Sequence, residues 1–359
     1  MLALHPLEAP MDPAAALDRV AHLIDRSLGS SRKAEAFRTA AEALRHAGDE
    51  EVRRLHAAGT LTSLGGVGDS TASVAAAALD GQVPDRLAEL EASTVVPIGE
   101  GGEIRAALKG DCHSHSTWSD GGATVEQMAL SAMALGHEYL VVTDHSPRLT
   151  VAHGLNRERL LAQLDEIDAL NERLAPFRLL TGAEVDIFPD GTLDGDDDML
   201  ERLDVVVASV HSKLSMDRIS MTKRMVTAVL DPRVSILGHC TGRKLKGLPE
   251  PGPEDESTAA YIRAQSTFDA DIVFAACEAG DTAVEINCRP ERRDPPDELL
   301  ALAVDVGCLV SIDTDAHAPA QLEWQPYGCD KAARHGLTPD RIVNTWSADD
   351  LVGWAGTGA

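Results

Sequence analysis

The chain has 359 residues, 44% of them hydrophobic and only 3% aromatic, with a formal net charge of −26. That length can bury one large core and one small one, built here from Ala, Val, Leu and Ile. The acidic balance argues against a protein that grips nucleic acid through a broad basic face, because phosphate contacts supply most of such affinity. A solubilising surface, or carboxylates reserved for cations, accounts for it instead. The six cysteines, Cys112, Cys240, Cys277, Cys288, Cys308 and Cys329, form no C-x-x-C pair and sit mostly in apolar runs. This excludes a thiolate zinc site and, with no signal peptide in view, points to reduced thiols in a cytoplasmic protein. No apolar run reaches the roughly 18 residues of a membrane span, so no membrane partner is expected.

Residues 1–10 read as a loose tail, and the chain from Pro13 to about Leu90 reads as helices. Leu17, Val20, Leu23 and Ile24 recur at helical spacing. Further helical runs cover Lys33 to Ala47, Glu50 to Ala58, the Ala-rich stretch ending at Leu79, and Asp85 to Ala92. Between the third and fourth runs lies Leu64-Gly65-Gly66-Val67-Gly68-Asp69-Ser70, a helix-hairpin-helix candidate. Gly65, Gly66 and Gly68 would let backbone amides at the next helix start face a DNA phosphate. Gly-rich turns between helices are also common for packing reasons alone. Pro97 and three glycines mark residues 95–104 as a linker. It separates a small all-α domain, 1–94, from a larger domain, 105–359.

From residue 107 onward short apolar strands alternate with amphipathic helices, the pattern of a parallel α/β fold. Seven strands are expected: Ala107–His113, Tyr139–Thr143, Arg178–Val185, Val205–Val210, Val234–Leu237, Ala283–Asn287 and Cys308–Asp313. The clearest helix between them is Arg157 to Leu174, with Leu160, Leu161, Leu164, Ile167 and Leu170 on one face. Seven strand–helix units imply a barrel close to the (βα)8 type but one unit short.

Polar residues of metal-ligand type follow every strand. The first ends in Asp111-Cys112-His113-Ser114-His115, with Asp120 in the next loop, and the second in Thr143-Asp144-His145. The third supplies Glu184, the fourth His211, the fifth His239, the sixth Glu285-Ile286-Asn287, and the seventh Asp313-Thr314-Asp315-Ala316-His317. In a parallel barrel all these ends meet on one face, where active sites lie. One such histidine would read as a satisfied core residue; six of the chain's 13, all at strand ends, read as a metal centre. His113 and His115 are two apart on an extended chain, so both rings point the same way. Imidazole with carboxylate suits Zn, Mn or Fe. Nine such residues are too many for one ion, so two or three divalent ions sharing carboxylates are expected, an arrangement that clamps the attacking and leaving oxygens of a phosphoryl group. Arg148, Lys213, Arg243, Lys244 and Arg289 follow the ligand strands and are candidates for phosphate oxygens, Arg243 foremost; solvated surface charge is the alternative for each.

Together these motifs, including Gly182-Ala183-Glu184-Val185-Asp186-Ile187 and Leu237-Gly238-His239 with Thr241-Gly242-Arg243, resemble the PHP (polymerase and histidinol phosphatase) family from residue 107 to about 350. The likeness is greatest to the PHP domain of bacterial X-family DNA polymerases. It implies a distorted seven-stranded TIM-like barrel with a trinuclear metal centre and a bridging hydroxide as nucleophile. By motif, His113, His115, Glu184 and Asp315 would hold one ion. Glu184 would bridge to a second held by His211 and His239, and Asp120, His145 and His317 would hold a third. Glu184 and Arg243 would serve catalysis, and His153 would lie on a loop lining the site. The helical N-terminal region is similar to the start of those polymerases, but their nucleotidyltransferase and thumb portions are missing between the two regions, which excludes a polymerase of that type. Asp69 stands where the polymerase hairpin usually has Lys, and a carboxylate there competes with phosphate for the same amides.

Three functions are compatible with these residues. The leading one, from the polymerase-like look of both parts, is a phosphoesterase that trims DNA, a 3′ exonuclease or end-processing enzyme of DNA repair; the second is a phosphomonoesterase for a small molecule such as histidinol phosphate or a nucleotide, and the third a non-catalytic interaction module with a structural metal cluster. The phosphate ester, and DNA ends under the first reading, are the expected partners. The net charge favours a small phosphate, which needs only a local basic pocket.

Overall fold

Helix capping and apolar periodicity organise the N-terminal region as the sequence indicates. The structure, a computed structural model, describes residues 11–246 and 260–356, so the tail expected at 1–10 lies outside the described residues. The chain forms two compact units, one up to Val95 and one from Val96 onward. The first contains α1 (Pro13–Arg26), α2 (Ser31–Ala47), α3 (Asp49–Ala57), α4 (Asp69–Leu79) and α5 (Asp85–Ser93). Asp12 caps α1 by accepting from the Ala15 amide at 2.7 Å, with Pro13 in the first turn. Leu17, Val20, Leu23 and Ile24 are buried with Phe37, Leu44, Leu55, Val74 and Leu87 in one core. Arg19 grips Glu91 through two nitrogens at 2.7 and 3.2 Å, tying α1 to α5.

In the second unit the helices are α6 (Gly102–Ala107), α7 (Val125–Ala134), α8 (Arg157–Leu174), α9 (Asp197–Leu200), α10 (Arg218–Val229), α11 (Ala270–Ala279), α12 (Asp297–Val306), α13 (Gln325–Arg334) and α14 (Ala348–Ala355). The strands are β1 (Gly110–Asp111), β2 (Tyr139–Val142), β3 (Arg178–Asp186), β4 (Val205–Ser209), β5 (Ile236–Leu237), β6 (Lys244–Leu245), β7 (Tyr261–Arg263), β8 (Ala283–Asn287) and β9 (Val310–Asp313). All seven expected strands are present, in the order β1-β2-β3-β4-β5-β8-β9, and every pairing is parallel. The first begins later than expected, because Gly102–Ala107 is helical. The segment ahead of α6, read as linker, is held by Asp330, whose carboxylate accepts from the Gly99 and Gly101 amides at 2.8 Å. The antiparallel pair β6–β7 was not foreseen; its strands are only two and three residues long.

The sheet closes on itself between β1 and β9. A parallel bridge joins Ser114 to Ala316, and the His115 amide donates to the Ala316 carbonyl at 2.8 Å. Side chains reinforce this seam: Asp313 accepts from the Cys112 amide at 2.8 Å, and Asp111 from the Thr314 hydroxyl at 2.6 Å. Strand alternation separates two surfaces. Val141, Leu180, Val205, Val207, Ile236 and Ala283 share the barrel interior with Leu351 of α14, while Leu140, Val142 and Leu179 face one helical core outside and Val206, Ala208 and Val284 another. The result is a seven-stranded parallel TIM-like barrel. Continued past the strand ends, the interior register delivers residues 184, 211 and 285 to its C-terminal mouth.

Gly110 permits the closest approach in this frame. A Cβ there would stand 2.2 Å from Cε2 of Tyr139, its partner on β2. Gly110→Ala is expected to push β1 off β2, lowering stability by about 1–3 kcal/mol and disturbing His113 and His115 downstream. The urea unfolding midpoint of the variant measures this; an unchanged midpoint refutes it.

Candidate metal centre

The mouth of the barrel gathers all nine residues proposed as ligands. Glu184, from β3, is the hub, with only 1% of its side chain exposed. Its carboxylate lies 2.8 Å from His239 Nε2, 2.9 Å from His145 Nδ1, 3.1 Å from His211 Nε2, 3.5 Å from His113 Nε2 and 3.7 Å from His115 Nε2. Asp315 Oδ1 stands 3.4 Å from His115 Nε2, and Asp120 Oδ1 stands 3.6 Å from His145 Nε2 and 3.5 Å from His317 Nε2. Three overlapping sets bring their ligand atoms within 4.8 Å of one another: His113, His115 and Glu184; His145, Glu184 and His211; and His115, Asp120, His145 and His317.

The donor chemistry fits divalent ions. His113 Nε2, both nitrogens of His115 and His239 Nδ1 are buried without a hydrogen-bond partner, and His145 Nδ1 makes none despite its closeness to Glu184. Unpaired buried imidazole nitrogens beside a carboxylate are costly unless a cation completes them. Burial alone would raise the Glu184 carboxyl, but the imidazoles of His211, His145 and His113 override it and hold the group well below the usual carboxylate range. Burial, followed by the charges of His317 and His145, depresses His115 to about 4, and burial with Arg292 depresses His239 to about 4. Both therefore offer lone pairs at neutral pH. His239 and Asp315 also adopt positive φ, +20° and +52°. Such backbone strain in non-glycine residues tends to persist at functional sites.

The PHP domain model matches residues 111–249. The chain carries a PHP domain. It is 40% identical over 245 residues to the DNA polymerase/3′-5′ exonuclease PolX of Bacillus subtilis, a match covering 68% of this chain and 40% of the length of PolX. It is 26% identical over 248 residues to a probable phosphatase of Thermoanaerobacter sp. (strain X514), covering 66% of this chain and 89% of that protein. Among solved structures, histidinol phosphate phosphatase from Lactococcus lactis, complexed with zinc, L-histidinol and phosphate, aligns with a TM-score of 0.43 and 16% identity, over 64% of this chain and 95% of that one.

The basic residues picked from the sequence fare differently around the PHP centre. Arg243 is fully buried and donates to the carbonyls of Arg292 and Arg293, so its expected role as a phosphate ligand gives way to a structural one. Its motif position is right, but burial drives the guanidinium to the nearest carbonyls. Lys244 pairs with Glu291 at 3.0 Å, and Arg148 with Asp186 at 3.3 Å while lying over the Phe188 ring. Arg289 reaches the cluster: Nη1 is 3.0 Å from His317 Nδ1 and donates to the Asp315 carbonyl at 2.8 Å. Lys213 is exposed, as is His153, which sits at φ +56° and belongs to none of the three sets. In the first unit Gly65 and Gly66 are exposed, whereas the Gly68 amide donates to the Thr71 hydroxyl at 2.9 Å and is withdrawn from any phosphate.

Arg292 is the residue the sequence did not single out. It follows no ligand directly; only its place two turns of chain past Glu285-Ile286-Asn287 could have drawn attention to it. Its guanidinium is largely buried, with Nε 3.6 Å from Asp315 Oδ2, and Nε and Nη1 have no hydrogen-bond acceptor. All six cysteines are free and buried, and among the described residues no helix is long and apolar enough to cross a membrane.

Loading the centre should displace protons. Burial opposes charging of His211, but Glu184 outweighs it and raises the imidazole to about 9, so the metal-free ring is protonated at pH 7. Zn2+ uptake is expected to release protons and to tighten as pH rises from about 6 to about 9. Calorimetry at pH 7 in buffers of differing ionisation enthalpy counts them; no release contradicts the expectation.

Proposed function

We propose that the chain is a metal-dependent phosphomonoesterase acting on a small phosphate ester. The observation that carries this reading is the buried Arg292 guanidinium beside the nine-residue cluster, with Nε and Nη1 lacking acceptors. A guanidinium with unfilled donors beside such a cluster matches a phosphate oxygen in charge. Two or three divalent ions, of Zn, Mn or Fe type, would supply Lewis acidity and lower the pKa of water toward about 7. Around them this chain's residues bind and orient. Glu184 stays ionised and joins the histidine sets, His115 and His239 stay neutral, and Arg292 holds the phosphate oxygens against the cluster. The exposed edge lies at Asp120 and His317, whose side chains are 33% and 22% exposed, so substrate enters there.

A second reading, removal of nucleotides from DNA 3′ ends, is favoured by the 40% identity to a polymerase/3′-5′ exonuclease. Against it stand the net charge of −26 and the engagement of Arg148, Arg243, Lys244 and Arg289 with carboxylates or carbonyls, which leaves little cationic track for a nucleic-acid backbone. Metal-loaded protein assayed on p-nitrophenyl phosphate, bis(p-nitrophenyl) phosphate and a 3′-labelled oligonucleotide decides between them. The monoester is expected to react fastest; faster shortening of the oligonucleotide replaces this proposal with the second reading.

Two substitutions probe the assignment. Arg292→Ala should remove roughly 2–4 kcal/mol of transition-state binding, lowering kcat/KM about 30- to 1,000-fold, with metal content unchanged. Glu184→Gln should abolish hydrolysis and reduce metal content while far-UV circular dichroism stays the same. Retained turnover with a full complement of metal would show that another residue links the ions.

A further inference from the structure

Strand β8 contributes no member to the sets able to hold an ion, although Glu285 and Asn287 stand among the ligands and are buried to within 1%. Alternation places them there: Ala283 packs in the barrel interior and Val284 outside, so 285 and 287 face inward again. Glu285 Oε1 lies 2.6 Å from His113 Nδ1. Its other oxygen accepts the His239 backbone N–H and, at 3.1 Å, the Asn287 side-chain amide. The same Asn287 nitrogen lies 3.3 Å from Asp315 Oδ2. A strand between β5 and β9 thus holds residues that follow β5, β9 and, beyond the β9 seam, β1.

We infer that Glu285, supported by Asn287, is a positioning residue for the metal centre: it holds His113 as the Nδ1–H tautomer and anchors the amide of His239, so that both rings meet Glu184. A carboxylate only accepts, so the His113 ring donates through Nδ1 and presents the Nε2 lone pair. That Nε2 is buried, unpartnered and 3.5 Å from Glu184 Oε2. His239 follows Leu237, which faces the outer core, and Gly238, so simple alternation would turn it outward; its φ of +20° brings it back to the cluster. An unusual backbone angle survives only where neighbours over-determine it, and the Glu285 acceptor is one such constraint. The named donors to Glu285 are a ligand's ring, a ligand's backbone and the side chain that contacts a third ligand. Bulk packing needs no such selection.

This inference rests on the metal-binding reading of the cluster, and the experiment separates the two. Metal-stripped wild-type and Glu285→Gln proteins are titrated with Zn2+ against a chromophoric chelator. If wild type takes up no Zn2+, the metal reading falls and the inference with it. With wild-type binding intact, Glu285→Gln is expected to weaken the tightest site about 10- to 100-fold, because the carboxamide must turn an NH2 toward either the His113 ring N–H or the His239 amide. Unchanged affinity overturns the inference alone. A second readout, on the ring itself, needs no variant. In Zn2+-loaded wild type with 15N-labelled histidine, long-range 1H–15N correlation should place the His113 proton on Nδ1; a proton on Nε2 overturns the inference even if Glu285→Gln fails to fold.

Discussion

A single carboxylate, Glu184, sits buried among five imidazoles carried by four other strand ends. In water such a group needs no partners; at 1% exposure it requires compensating charge from every side. The partners come from segments that meet only when β1 to β5 stand side by side in parallel. The same burial that makes Glu184 expensive in isolation makes the centre specific once the barrel has closed. Gly182 assists, since a Cβ two residues before Glu184 would lie 2.8 Å from the Val205 carbonyl and from Val141.

Below the imidazoles the interior is layered. Apolar side chains of β2 to β5 fill the floor, and Glu285 and Asp313 stand above them with Asp111 at the β1–β9 seam, all three carboxylates fully buried. Burial and mutual repulsion push the Asp111 carboxyl up, and burial with the Glu285 charge does the same to Asp313. These carboxylates are retained because they bond where the backbone ladder is thinnest. Asp111 and Asp313 clasp the β1–β9 seam, with Asn344 donating to Asp313 at 2.8 Å, and Glu285 holds two ligands. Exposure then rises outward, from His113 and His115 at 0% to His317 and Asp120 at the rim. Under the proposed function, a phosphate ester would meet open ligands first and buried ones only through the ions they would share.

Charge near this mouth is organised by pairing, not by net sign. Arg243, Arg224 and Lys331 are buried cations bound to backbone carbonyls, where they fix loops instead of meeting solvent. Arg289 stacks on Trp324 and braces His317. Against that background the open donors of Arg292 stand out. A chain of charge −26 can therefore bind phosphate locally without presenting a basic face.

The strands, the N-terminal helices and the nine clustered residues were legible in the sequence because each is a local pattern. Alternating apolar runs fix strands, helical spacing fixes α1 to α5, and a histidine or acid directly after a strand must lie at the same end of a parallel barrel. What the sequence could not show was which side chains are already engaged. Arg243 follows a ligand strand and Arg292 does not, yet folding turns the first onto carbonyls and leaves the second open. Glu285 was visible as one more acid at a strand end; only the β8 position between β5 and β9 makes it a support for His113 and His239 rather than a ligand. Periodicity along one strand sets the direction of a side chain. Its partner is set by residues far away in sequence, 172 positions in the case of His113 and Glu285, and that choice belongs to the closed barrel.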